Sequence, residues 1–166
     1  GKDFPEVKQI VRIRRMNDRV LVKPHSDERF YETVFAADSN LFKMFTFPFV
    51  SGEPQNALLD PFTLVITEEG AKRLFNRMDV LGETVFFPED SIEFKITGVM
   101  KNYPANTHLK FDFITSFETL KAVHTNMDSW WNYSYYTYLE LHPKSDAKQL
   151  ESKVKFISRN YIADQE

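Results

Sequence analysis

"FKITGVMKNYPANTHLKFDF", residues 94–113, is the stretch on which the fold assignment turns. Phe94, Ile96 and Gly98 fall on one side of an extended chain, and Lys95 and Thr97 on the other. Phe111 and Phe113 flank Asp112 in the same rhythm, and residues 102–108 form a polar bend with Pro104 inside it. Alternation at period two predicts two strands joined by that bend. The bend is either a place where chemistry happens or the corner of a scaffold, and the choice decides whether the chain reads as an enzyme.

The neighbouring segments extend the same pattern. "VKQIVRIRR" (7–15) sets Val11 and Ile13 against Arg12 and Arg14, as a strand with one wet face does. "RVLVK" and "RFYETVFAA" are β-rich runs, and "PHSDE" (24–28) between them predicts a hairpin. "SNLFKMF" (39–45) predicts a short helix capped by Asp38 or Ser39, and the proline-punctuated run 47–62 reads as loop. In "TLVITEEGAKRLFNRM" (63–78) a strand runs into a helix: Thr67 is placed to cap it, Glu68 and Glu69 suit its positive end, and Ala71, Leu74, Phe75 and Met78 form the buried stripe. Gly70 within it implies close packing. Strands are expected at 83–87, 92–100, 111–115 and 134–142, and helices at 116–124 and 147–161. Asp146 with Gln149 starts the last helix, whose stripe is Ala147, Leu150, Val154, Ile157 and Tyr161. Strands and helices without strict alternation indicate an α+β fold, with mixed sheets and packed helices.

The totals exclude several classes of function. With 166 residues the chain suits one domain or two small lobes, and its 42% hydrophobic and 27% charged residues are ordinary for a globular protein. Phenylalanine, with 16 copies, is the outlier. A formal net charge of -3 offers no general attraction to nucleic acid or anionic lipid. With no cysteine, disulfides, thiolate metal sites and a cysteine nucleophile are ruled out. No apolar run approaches the ~20 residues that span a bilayer.

Catalytic patterns do not assemble. His25, His108, His124 and His142 lack the spacing that puts two imidazoles on one metal, and no phosphate loop, dinucleotide fingerprint or nucleophile elbow occurs. Adjacent glutamates at 68 and 69 point different ways on a helix, so they read as dipole partners rather than an acid–base pair. No catalytic, cofactor-binding or metal site is therefore assigned. Two features stand out. "WWNYSYYTY" (130–138) holds six aromatics in nine residues, which either pack into the core or read a sugar or peptide on a surface. From it Trp130, Trp131, Tyr136 and Tyr138 are taken as candidate partner contacts, with Tyr135, Leu139 and Leu141 expected to face the last helix. Arg12 and Arg14 share a strand face and read as a solvated one.

Six segments in order resemble one family. They are "FPEVKQIVRIR" (4–14), "AADSNLFKMFTFPFVSGEP" (36–54), "LVITEEGAKRLF" (64–75), "DVLGETV" (79–85), "FKITGVMKNYPANTHLKFDFITS" (94–116) and "WWNYSYYTYLEL" (130–141). Together they resemble the MacB-like periplasmic core domain of FtsX-family ABC transporter permeases. The resemblance makes the 94–113 bend scaffold and gives His108 no role. It implies a porter-like lobe from residues 5–25 and 130–166, and an inserted small α/β lobe from 26–129. It further implies a non-catalytic segment excised from a multi-pass protein, on the periplasmic face of a bacterial inner membrane. The expected partners are a cytoplasmic ABC ATPase, a second permease copy and a periplasmic adaptor, with no nucleic acid and no cofactor. The role implied is transmission of ATP-driven motion to an exported antibiotic, antimicrobial peptide or lipoprotein. The alternative is a periplasmic sugar- or peptide-binding module that uses the 130–138 aromatic run.

Overall fold

Hairpin chemistry organises the first third of the chain. In the computed structural model, which describes residues 4–104, 106–123 and 135–163 (side chains of 17 and 156–163 excepted), β1 (Val7–Val22) turns back into β2 (Arg29–Ala37). The two runs expected before the turn are one strand, interrupted by a bulge: between Arg15 and Asp18 three steps on β1 face two on β2, from Phe35 to Thr33. One extra residue bends the strand and re-aims its side chains.

Among the described residues the later elements are α1 (Leu41–Met44), β3 (Phe49–Gly52), β4 (Thr63–Thr67), α2 (Glu68–Phe75), β5 (Thr84–Phe87), β6 (Ile92–Met100), β7 (Phe113–Ser116), α3 (Phe117–Val123), β8 (Tyr135–Leu141) and α4 (Ala147–Ala163). This mixed α/β architecture agrees with the expected fold class. Expected strand 92–100 coincides with β6, whereas β3 lies in a stretch read as loop.

By compactness the chain forms two units, Gly1–Ile10 with Thr137–Glu166, and Val11–Tyr136. In the larger unit the strand order is β2-β7-β4-β6-β5-β1, with β3 added on β6 and β1 paired again to β2, so the hydrogen-bonding path returns to its start. β6 is the hub. It pairs antiparallel with β5 through Ile92–Lys95 and with β3 through Gly98–Met100, and parallel with β4 along Lys95–Met100. The β4 ladder skips Thr97, whose hydroxyl donates to the Ala57 carbonyl at 2.7 Å. β4, between β6 and β7, is buried at all five positions, which suits its unbroken β-branched and aliphatic run.

The core gathers Leu21, Val34, Leu64, Ile66, Leu74, Val85, Phe94, Ile96 and Phe113. Its phenylalanines pack ring on ring, Phe87 stacked on Phe94 at 4.2 Å and Phe62 edge-on to Phe94. A second chain of rings runs from Phe49 through Phe42, Phe47 and Phe111 to Phe35. These two groups account for much of the unusual phenylalanine content.

α2 begins as expected: the Thr67 hydroxyl accepts from the Gly70 N–H at 3.0 Å, and a Cβ at Gly70 would sit 3.3 Å from the Asp112 carbonyl. It ends earlier than expected. Asn76 adopts the left-handed conformation (φ 55), so Met78 lies beyond the helix and is exposed. At α1 the N-cap position is Asn40. Asp38 serves Arg12 instead, accepting from its backbone N–H, Nε and Nη2 at 2.8, 3.0 and 2.8 Å.

In the smaller unit, Glu140 of β8 accepts from Lys8 and Gln9 of β1. Glu6 pairs with Lys153 of α4, while its carbonyl accepts from the His142 N–H at 2.9 Å. Asp146 Oδ1 accepts from the N–H groups of Lys148 and Gln149, starting α4 as expected. Of the expected α4 stripe Leu150 is buried, Ala147 and Val154 are exposed, and Ile157 and Tyr161 lie outside the described side chains.

Candidate functional site

A concavity of the larger unit opens where the β1–β2 ladder is interrupted. Arg15, Glu32, Thr33, Phe35, Tyr103, Lys110, Phe111 and Asp112 line a cleft of about 340 Å³. Arg15 and Thr33 flank the bulge, and the last four come from the 101–112 bend. That bend is held to α2: Asn102 Oδ1 accepts from the Glu69 N–H, and the Asp112 carbonyl accepts from the Thr67 N–H at 3.0 Å.

One guanidinium organises the floor. Arg73, from the last turn of α2, donates Nε and Nη2 to both oxygens of Glu32 at 2.9 and 3.0 Å, and Nη2 again to Asp112 Oδ2 at 2.8 Å. Asp112 Oδ1 accepts from the Thr67 hydroxyl at 3.0 Å. Hydrogen bonding to Glu32 holds the Arg73 guanidinium well above its usual range, with burial opposing and Asp112 adding to the effect. Tyr103 is shifted upward by burial first, then by the charges of Asp112 and Glu69. The cleft thus offers fixed charge and aromatic surface. Among the described residues no three metal-ligating side chains converge.

The cleft was not legible from sequence, because its parts are scattered: Arg73 lies 41 positions from Glu32 and 39 from Asp112. The singled-out aromatics fare differently. Trp130, Trp131 and His124 lie outside the described residues. Tyr136 is 62% exposed and Tyr138 half-buried. Tyr135 packs on Phe117 of α3, with ring centroids 5.8 Å apart, and Leu139 is exposed, so the expected division of β8 by parity does not hold there. Arg12 and Arg14 are not a simple solvated face either. Arg12 lies 4.0 Å over the Phe117 ring, Arg14 stacks 5.6 Å over Tyr135, and hydrogen bonding to Asp38 holds Arg12 above its usual range.

The family model for MacB-like periplasmic core domains matches residues 1–157. The chain belongs to that family. It is the periplasmic domain of a MacB-like ABC transporter permease, and no curated protein sequence matches it. The MacB-like assignment agrees with the fold. A domain of a protein described as a permease, from Porphyromonas gingivalis, superposes with a TM-score of 0.77 at 20% identity, covering 96% of this chain and 66% of that one. The periplasmic region of MacB from Actinobacillus actinomycetemcomitans superposes at 0.70 with 13% identity, covering 95% and 68%. The extracellular domain of the noncanonic ABC-type transporter YknZ from Gram-positive bacteria gives 0.62 at 17%, covering 92% and 73%. This MacB-like chain therefore spans about two thirds to three quarters of the length of these neighbours. Among its described residues no helix is long and apolar enough to cross a membrane.

Proposed function

We propose that this domain is a non-catalytic transmitter: it couples the ATP cycle of a cytoplasmic ABC ATPase to a periplasmic cargo or partner. The observation that carries the reading is the family match over residues 1–157. Three transporter or permease domains of the same fold support it. The proposed porter-like lobe (5–25 with 130–166) and inserted α/β lobe (26–129) differ in bounds from the two compact units, which place 11–25 in the larger one. A second permease copy and a periplasmic adaptor complete the proposed machine, with export of an antibiotic, antimicrobial peptide or lipoprotein as its class of work. Tyr136, exposed on β8, is the contact candidate best supported by burial, with Tyr138, Trp130 and Trp131 beside it in sequence.

These 166 residues contain no cysteine, so a single labelling site can be introduced into this domain. A spin label at Lys72→Cys, an exposed position on α2, is introduced into the full-length permease in lipid with its ATPase. The distance distribution between labels in two copies should shift when ATP is added and the cycle is trapped. Identical distributions with and without nucleotide, or no inter-copy signal, would overturn the two-copy transmitter. Serine at Tyr136 and Tyr138 should impair export while leaving the isolated domain folded. Loss of folding would make these tyrosines core, and unchanged export would remove the contact.

A further inference from the structure

The cleft carries cationic hydrogen-bonding capacity that the fold leaves open. Each of the four carboxylate oxygens of Glu32 and Asp112 already accepts a hydrogen bond, three from Arg73 and one from Thr67. The cations are less engaged. Lys110 is exposed and has no ion pair or hydrogen bond among the described residues. Arg15 has one ion pair, to Asp18 at 3.7 Å, with the two side chains 62% and 68% exposed, a setting in which such pairs hold little. Beside these donors stand Phe35, Tyr103 and the buried ring of Phe111, the two phenylalanines 5.8 Å apart and tilted. A volume of about 340 Å³ lies at the small end of ligand sites.

We propose that this cleft binds an apolar carboxylate about the size of one amino-acid residue, the shape of a peptide's C-terminal residue. The carboxylate sits on Arg15 and Lys110, and the hydrocarbon body lies against Phe35, Phe111 and Tyr103. Arg73, bonded to both Glu32 and Asp112, offsets much of their charge and so weakens the attraction of the cleft for a cationic ligand. The upward shift of Tyr103 agrees with a carboxylate seated on Arg15 and Lys110, since burial and the nearby acids make its side of the cleft unfavourable to negative charge. The bulge between Arg15 and Asp18 places the cationic end where the ladder is open. This site stands independently of the transporter reading.

The test is an amide-shift titration of the ¹⁵N-labelled 166-residue chain with N-acetyl-L-phenylalanine and, separately, with its C-terminal amide. The acid should perturb the amides of Arg15, Thr33, Lys110 and Asp112, and the amide should not. Lys110→Gln and Arg15→Gln should each weaken binding about tenfold, the value of one charge-assisted hydrogen bond. Lys43→Gln, exposed and outside the cleft lining, should leave it unchanged. Both cleft cations are exposed, so the variants are expected to fold. A tripeptide with a free C-terminal phenylalanine that binds more tightly than the single residue identifies a peptide terminus as the source; equal binding identifies a small free carboxylate. Absence of cleft shifts at millimolar ligand, or equal binding of acid and amide, overturns the proposal.

Discussion

Thr67 is bonded twice to Asp112, 45 positions away: its hydroxyl donates to Oδ1 and its N–H to the carbonyl, each at 3.0 Å. The same hydroxyl oxygen accepts from the Gly70 N–H, so one buried side chain both caps α2 and anchors the 101–112 bend. Thr67→Ala should destabilise the chain by about 2 kcal/mol, a lost cap plus a carboxylate oxygen left short of a donor. Thr67→Ser, which keeps the hydroxyl, should recover most of that. Urea denaturation of the two variants decides it, and equal losses would place the role of Thr67 in its methyl group.

Leu74 and Met78 were expected on one buried stripe, yet Leu74 is 1% exposed and Met78 39%. Leu74→Ala should cost about 2–5 kcal/mol, as buried large-to-small changes do. Met78→Ala should cost less than about 0.5 kcal/mol, like other exposed substitutions. Similar losses for both would return Met78 to the core.

Gly98 and Gly52 face each other in the β3–β6 ladder for different reasons. A Cβ on Gly98 would fall 2.4 Å from a ring carbon of Phe49; on Gly52, at φ +84, it would meet the Thr97 carbonyl oxygen at 2.4 Å. Gly98→Ala should cost about 1–3 kcal/mol, and Phe49→Leu should relieve part of it, because a side chain yields where a backbone does not. Gly52→Ala should be more damaging and should not be rescued at Phe49. A double-mutant cycle without coupling between positions 98 and 49 would contradict the contact.

Acid should weaken the smaller unit. Hydrogen bonds from Lys153 to Glu6 and from Lys8 to Glu140 hold both carboxyls below their ordinary value of 4.5. A carboxyl lowered in the folded state stabilises it above the unfolded value, and that contribution is lost as pH falls through the folded value. Stability should therefore hold above about pH 4.5 and decline as pH falls below it, and Glu6→Gln should flatten the decline. At the other extreme, Tyr103 ionises above its ordinary 10.0, chiefly because its partial burial disfavours the charged form. The unfolded chain loses its phenolic proton first, so stability falls as pH rises past that point, less steeply in Tyr103→Phe.

Periodicity made β6, α2 and the β8–α4 order legible, because each buries residues at a regular interval. What escaped it was non-local. β3 looks like loop because Pro48 precedes its four residues and Gly52 ends them, and only its pairing to β6 makes it a strand. The N-cap role expected of Asp38 gave way to three donors on Arg12, 26 positions earlier. Arg73 reads as a surface cation on a helix, and nothing in the order of residues brings Glu32 and Asp112 to it. The aromatic run points to packing or contact, and the structure assigns Tyr135 to packing and leaves Tyr136 outside.

The β1–β5 closure consists of one residue pair, Val22 with Phe86. Most of β5 is therefore an edge, a row of backbone groups able to template another chain. Arg19 spans from β1 to Glu89 and Asp90 just beyond β5, so side chains take over where the ladder stops, and Glu83, just before β5, is ion-paired with Arg77. Charged side chains at an open edge are one way in which sheet proteins resist self-association. In this chain the ion-paired turn at 88–91 sets charged side chains, rather than bare backbone, at the point where the sheet so nearly closes.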